Sequence, residues 1–516
     1  MSASPVRPRL ERAKPAQRPA ERFRAEPAER PGLARARYAT VAHAVGWLLV
    51  VLAAAMLPPM ALDLADDNRD WTGFAAAAAL TGFVGVALLL ASRGPEPALD
   101  VRSAFLLTAA SWLAVSAFGA LPFVFGVAHL SFTDAVFETV SGLTTTGSTV
   151  ITGLDSAPRG LLLWRALLQW MGGIGIVVVG LVILPFLRVG GMQLFRTESS
   201  DRSDKLLAST AAIAARMLAV YLVLTLACFL ALDAVGLSLF DALLHAMTAL
   251  STGGYSSRDA SIGAFANPAA EWVLVIAMLA GALTFTRYLA LVLGRPHLFF
   301  GDPQIRLLLL IVLTLSAILA LWLVFVHERP LPSAVRAALF AVVAVITTTG
   351  FVAEDWQEWG APVLGLFLIV TVLGGCTGST AGGIKVFRVQ ILASATLAYL
   401  AGLLHPNRVV PIRWGDRQVE PELVLAVLSF VFLFVGSWAL FTVLLSGLGL
   451  DLVTAVSGAA TALANVGPGL GPVIGPSGNF ASLSDAAKWV LVLAMLLGRL
   501  EFFTLLALLH PVFWRR

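Results

Sequence analysis

Charge is scarce in this chain. Of 516 residues, 13% are Asp, Glu, Lys or Arg, about half the share in a soluble domain. That shortfall excludes a soluble enzyme, a disordered protein and a nucleic-acid binder. Cysteine is nearly absent: Cys228 and Cys376 stand far apart in apolar stretches and make neither a disulfide framework nor a metal cluster. The seven histidines are scattered and no His-Glu-x-x-His occurs, so a metallohydrolase pattern is missing. Gly378 to Lys385 passes near a phosphate-loop pattern but fails at Ile384, and no dinucleotide fingerprint is present. We therefore expect no enzyme and no cofactor in this chain, and any nucleotide control must come from another chain.

What the chain has is apolar residues, 58% of the total, with a mean hydropathy of +0.86. It reads as an all-α polytopic membrane protein. Stretches near the length needed to cross a bilayer fall at roughly 41–62, 72–91, 103–126, 161–187, 210–235, 269–293, 305–327, 362–400, 421–446 and 487–509. Four shorter apolar segments, near 132–146, 239–253, 334–349 and 451–466, are too short to cross. Each follows a span and ends in Thr, Ser, Asn and Gly. From residue 101 the pattern is span, short helix, polar loop, span, four times over, in repeats at 101–205, 206–300, 301–415 and 416–516, preceded by two leading spans within 41–100.

Nine arginines and four glutamates crowd residues 1–37, and no apolar core of leader-peptide length follows. Residues 1–40 read as a disordered basic tail, with a lipid-headgroup or partner contact as the rival reading. Arg188, Arg196, Arg202, Lys205, Arg295, Arg306, Arg408, Arg413, Arg417, Arg515 and Arg516 follow even-numbered spans, whereas Asp63, Asp66, Asp67, Asp70, Glu354, Asp355 and Glu358 lie in the opposite loops. Positive charge stays on the cytoplasmic side, so both termini are expected there and the short helices are expected to be re-entrant from the outside.

The repeats align residue for residue. Asp134 to Gly147 and Asp241 to Gly254 each span thirteen positions. The loop ends read Thr145-Thr146-Gly147, Thr252-Gly253-Gly254, Thr348-Thr349-Gly350 and Asn465-Val466-Gly467. One such run is commonly a helix end with back-bonded hydroxyls, but four in register are an architectural repeat that suggests pseudo-fourfold assembly about an axis. The chemistry it suits is cation dehydration: inward-turned carbonyls replace the water shell of a monovalent ion, Gly tolerates the required backbone, and the negative end of each short helix points at the ion.

Two further features read as gates. Gly374, Gly375, Gly378, Gly382 and Gly383 fall within ten residues of the eighth span. Each costs a helix about 1 kcal/mol against Ala, so a non-helical loop is expected inside the membrane; the competing reading is a small-residue packing face. Arg499 lies eleven residues from both Lys488 and His510, about 16 Å from either at helical rise, and an intramembrane Arg marks a functional site or a structural ion pair. Glu501, two residues on, does not share its face. Lys385 and Arg388, following the loop, read equally as anchors or as partner contacts.

The motifs Val140-Ser-Gly-Leu-Thr-Thr-Thr-Gly147, Gln169-Trp-Met-Gly-Gly-Ile-Gly175, Val189-Gly-Gly-Met-Gln-Leu-Phe-Arg196, Ser251-Thr-Gly-Gly254, Gly374-Gly-Cys-Thr-Gly-Ser-Thr-Ala-Gly-Gly-Ile-Lys385, Asn465-Val-Gly-Pro-Gly469 and Gly498-Arg-Leu-Glu-Phe-Phe-Thr504 resemble the Trk/Ktr/HKT superfamily of potassium transporters, most closely its TrkH branch, over roughly residues 41–516. The resemblance implies ten transmembrane helices plus four re-entrant pore helices, and potassium uptake across the bacterial inner membrane. It further implies a homodimer and a cytoplasmic nucleotide-binding partner ring of the TrkA type. It places the filter glycines at Gly147, Gly254, Gly350 and Gly467, where the absence of Ser at the first favours potassium over sodium. It assigns the glycine-rich loop, with Lys385 at its end, and Arg499 to the gate at the constriction. A channel and an ion-coupled secondary transporter remain alternatives, although the latter more often has two inverted repeats.

Overall fold

The computed structural model describes residues 31–93, 101–126, 129–182, 210–408, 410–415 and 417–515. The Val189–Arg196 motif, most of the basic tail and the basic segment 188–205 lie outside the described residues. The described residues are helical apart from loops and one two-stranded hairpin pairing Arg413–Trp414 with Arg417–Gln418. Among the described residues, seven helices are long and apolar enough to cross a membrane, or eight if one bent pair is a single span. Their outward faces carry large exposed apolar side chains such as Phe83, Leu113, Phe325 and Phe432, a surface suited to lipid rather than water.

The ten expected stretches map onto helices, but four differ instructively. The first helix begins at Pro31, not near residue 41. The sixth stretch splits into Pro268–Ala282 and Phe285–Val292, bent by 100°; no proline or glycine run at Leu283-Thr284 marks the break. The tenth stretch is Asp485–Arg499 followed by Phe503–Leu509, with Glu501 and Phe502 at positive φ between them. Helical arithmetic therefore holds on only one side of Arg499. The eighth stretch is Ala361–Thr371 and Val386–Leu404, with no helix across residues 372–385.

The four short helices are Phe132–Leu143, Leu239–Leu250, Leu331–Ile346 and Leu452–Ala464. Three have side-chain N-caps: Ser131, Ser238 and Asp451 accept from the backbone amides of Asp134, Asp241 and Thr454. Asp134 and Asp241 sit at the third helical position and also accept from their capping serines, at 2.9 and 2.7 Å. A carboxylate in the first turn complements the helix dipole, which is why both aspartates keep the same distance from the glycine. The third repeat lacks this device and starts after Pro330.

Contacts run from the second helix of one repeat to the short helix of the next. Arg159 lies 5.0 Å over the Phe240 ring, Arg336 pairs with Glu271 at 3.1 Å, and Lys488 pairs with Asp134 at 2.6 Å, closing the fourth repeat onto the first. Within three repeats a glycine lets the second helix touch the end of its own short helix. A Cβ on Gly172, Gly281 or Gly498 would meet the carbonyl oxygen of Leu143, Leu250 or Leu463. Each of those carbonyls lies four residues before the loop glycine. The third repeat departs because its second helix has already ended.

Candidate functional site

The four loops meet in a ring. A Cβ placed on Gly147 would sit on the carbonyl oxygen of Gly253, one on Gly254 on that of Thr349, one on Gly350 on that of Val466, and one on Gly467 would come within 2.8 Å of that of Thr146. Each glycine thus abuts the residue preceding the next repeat's glycine, in chain order, and the fourth returns to the first. Ser148 reinforces the closure by donating to the Gly467 carbonyl at 2.9 Å.

The backbone is the same in all four. The glycines have φ of 85°, 77°, 79° and 113°, and the residues two before them, Thr145, Thr252, Thr348 and Asn465, have φ of 54°, 53°, 57° and 57°. The residue between is not left-handed, and this alternation turns successive peptide groups the same way. Their amides point back to the short helix: Thr146, Gly253, Thr349 and Val466 donate to Ser141, Thr248, Ala344 and Thr461 at 2.8–3.0 Å. With the N–H groups so occupied, carbonyls are left for the axis. The side chains of the loop residues are buried, while Gly147, Gly254 and Gly350 keep partial exposure.

The glycine-rich segment lies directly against this ring. The Thr380 hydroxyl donates toward the Leu250 and Gly281 carbonyls at 3.0 and 2.9 Å, and the Thr252 hydroxyl is 3.2 Å from it. The Gly382 amide donates to the Thr348 hydroxyl at 2.8 Å, and a Cβ on Gly382 would strike the Ala464 carbonyl. The segment therefore touches the ends of three short helices. Its neck is pinched where the Gly374 and Gly383 backbones pack against each other and Ile384 donates to the Val372 carbonyl at 2.8 Å.

Its other side fits the bend in the second repeat. Cys376 and Thr380 amides donate to the Ala282 and Gly281 carbonyls at 2.9 and 3.2 Å, and the Phe285 amide donates to the Gly378 carbonyl at 3.0 Å. Gln304 accepts from the Thr377 amide at 2.8 Å. The Leu283-Thr284 break thus frees the backbone groups that the loop uses.

Arg499 is buried and donates through one terminal nitrogen to the Thr380 carbonyl at 2.9 Å. Its other guanidinium nitrogens have no partner in the described protein. Glu501 pairs instead with Arg388 at 3.0 Å. Arg388 is buried, its guanidinium 3.7 Å over the Phe430 ring, so the reading of Arg388 as a cytoplasmic anchor or partner contact is corrected. Burial against an acid that follows a helix break carries no signal in sequence spacing. Lys385 is half-buried and donates to the Ala381 carbonyl at 2.6 Å.

Sequence spacing also missed a buried polar cluster behind the first two loops. Glu138 accepts from Arg165 at 2.8 Å and from the Val150 amide at 2.9 Å, and Arg165 donates to Thr149 and to the Ser256 carbonyl. Arg165 and Gln169, four residues apart in one apolar helix, were the available signal: two long polar side chains on one face inside a membrane span.

The TrkH family, described as cation transport protein, matches residues 72–512. The chain belongs to the TrkH family. It is 42% identical over 481 residues to the Trk system potassium uptake protein TrkI of Halomonas elongata, covering 93% of this chain and 98% of that protein. To the Trk system potassium uptake protein TrkH of Escherichia coli K12 it is 36% identical over 484 residues, covering 93% and 99%. The crystal structure of the potassium transporter TrkH from Vibrio parahaemolyticus superposes with a TM-score of 0.85 at 34% identity, covering 93% of this chain and all of that one. These TrkH-family relatives are named as uptake proteins and a transporter, in keeping with a chain that is not an enzyme.

Proposed function

We propose that this chain takes up potassium across the bacterial inner membrane through the ring formed by Thr145–Gly147, Thr252–Gly254, Thr348–Gly350 and Asn465–Gly467. The observation that carries the reading is the cyclic series of glycine-to-carbonyl contacts. Four backbone strands with amides turned outward and carbonyls left for one axis offer oxygens to a dehydrated monovalent cation. The printed names of the relatives supply potassium as the ion.

Gly374–Gly383 and Arg499 close the path beneath the ring. A buried guanidinium at that level opposes a cation electrostatically, and the loop fills the space under three short helices. Four like-oriented loops about one axis favour conduction down a gradient over coupled exchange, which remains the alternative. Both termini are cytoplasmic on the charge pattern. The chain works as a homodimer in lipid, and a TrkA-like nucleotide-binding ring on the cytoplasmic face shifts the loop between closed and open states by binding them unequally.

The deciding experiment is ion flux into liposomes holding the purified chain, with potassium, rubidium, sodium and lithium in turn. A potassium-selective flux that reverses with the potassium gradient is expected. Flux driven against that gradient by sodium or protons overturns the channel reading, and a strong ATP, ADP or NADH response by the chain alone overturns the division of labour with a partner.

A further inference from the structure

The ring is not fourfold at one position. The residue before the glycine is Thr146, Thr349 and Val466 in three repeats and Gly253 in the second. The space that a side chain would take at Gly253 is filled from outside the loop. A Cβ there would lie 2.7 Å from Nε2 of Gln169 and closer still to its carboxamide carbon. Gln169 belongs to the second helix of the first repeat, Arg159–Val182, and is fully buried. Its Nε2 donates to the Gly253 carbonyl at 2.6 Å, and its Oε1 accepts from the Tyr255 amide at 3.0 Å. The amide can face only one way, because a flipped carboxamide would set donor against donor and acceptor against acceptor. Gln169 therefore brackets Gly254 by holding the residues on either side of it.

The bracket is itself anchored. The Tyr255 hydroxyl lies 2.9 and 3.1 Å from the Glu138 and Ser148 carbonyls, and its ring lies 4.1 Å beneath the Arg165 guanidinium. The carbonyl that Gln169 holds is the one against which Gly147 packs. In the other repeats the corresponding carbonyls, of Thr146, Thr349 and Val466, accept from no side chain in the described protein. One oxygen in this layer is thus restrained in position and partly neutralised by a donor, while three are not.

We infer that Gln169 is a positioning residue that sets the Gly253 carbonyl and so tunes ion discrimination at the seam between the first two repeats. The inference rests on the filter reading above. A rigid oxygen resists collapse around a smaller ion, so loss of the bracket favours sodium.

The test measures potassium-to-sodium and rubidium-to-potassium flux ratios of the full chain in liposomes, with the thermal midpoint as the control for folding. Gln169→Leu removes both hydrogen bonds. Gln169→Glu keeps the acceptor for Tyr255 but sets an oxygen against the Gly253 carbonyl. Gly253→Ala drives a methyl into the carboxamide. Each is expected to lower the potassium-to-sodium ratio about tenfold, the scale of one lost buried hydrogen bond. The double substitution Gln169→Ala with Gly253→Ala is expected to lose no more than either single change, because both act through the same bracket. Should Gln169→Leu fail to fold, the nearly isosteric Gln169→Glu and the double substitution decide. Wild-type ratios in folded Gln169→Glu and in Gly253→Ala overturn the inference while leaving the filter reading intact. A wild-type protein that does not discriminate between the ions overturns both.

Discussion

The ring of loops and the layer beneath it differ in symmetry. At the ring, four loops share φ signs, amide partners and neighbour contacts almost without variation. One layer below, nothing repeats: the second repeat is bent, the third is broken by a glycine-rich loop, and the fourth holds Arg499 before its own break. A single ion on an axis demands equivalent oxygens on all sides, so any one loop that drifts spoils the set. A gate has no such demand. It needs one obstacle that moves, and one repeat suffices to supply it.

If that contrast is right, damage to one loop of the ring acts on discrimination, and damage below acts on amount. The largest effect is expected for Gly147→Ser. A Cβ at that φ of 85° collides with the Gly253 carbonyl, and the potassium-to-sodium permeability ratio should fall by about tenfold or more. An unchanged ratio would remove Gly147 from the ring's function. Next, deleting about ten residues over Gly374–Gly383, or changing Arg499→Ala, should raise flux by roughly an order of magnitude while leaving the ion ratio alone. Equal or lower flux in folded protein would make the loop a structural kink.

Smaller again is Glu501→Gln. Arg388 would keep its charge in a buried site with the Phe430 and Phe387 rings but no carboxylate beside it. A loss of about 2–3 kcal/mol is expected, somewhat below that of a fully sealed pair, read as a lower unfolding midpoint in detergent. The smallest is Ser238→Ala, which removes the cap of the second short helix at a cost of about 1 kcal/mol. The same change bears on pH. Burial raises the Asp241 carboxyl, but hydrogen bonds from Ser257 and Ser238 and the nearby Arg258 guanidinium outweigh it and hold the group below its usual value. Its stabilisation is therefore present above the unfolded carboxylate range near pH 4 and is lost as pH falls through the lower folded value. Ser238→Ala should reduce that acid-side loss; an identical pH profile would show that the cap does not hold the carboxylate.

The ring's residues were legible in the sequence because their signal is repetition: Thr or Asn two before a glycine, four times, each after a short apolar helix. The loop of the third repeat was legible because glycine density contradicts a helix. The bend at Leu283-Thr284 was not, since its residues are unremarkable and the cause lies far along the chain in the carbonyl-seeking amides of Cys376 and Thr380. Nor was the pairing of Arg388 with Glu501, which depends on a reversal at Phe502. Gln169 stood inside a quoted motif, but its role depends on the absent side chain at Gly253, and a missing atom has no pattern until its neighbour is seen.

The bend and the loop have a consequence for how such a chain can change over generations. Two helices from different repeats stop at the same depth, and each acts as the other's solvent: carbonyls freed at Gly281 and Ala282 take the amides of Cys376 and Thr380, and Phe285 answers Gly378. In hydrocarbon an orphaned backbone group costs several kcal/mol. A descendant that straightened the bend and kept the loop, or lost the loop and kept the bend, would strand three such groups at once. The two interruptions are therefore heritable only as a pair, although nearly a fifth of the chain separates them.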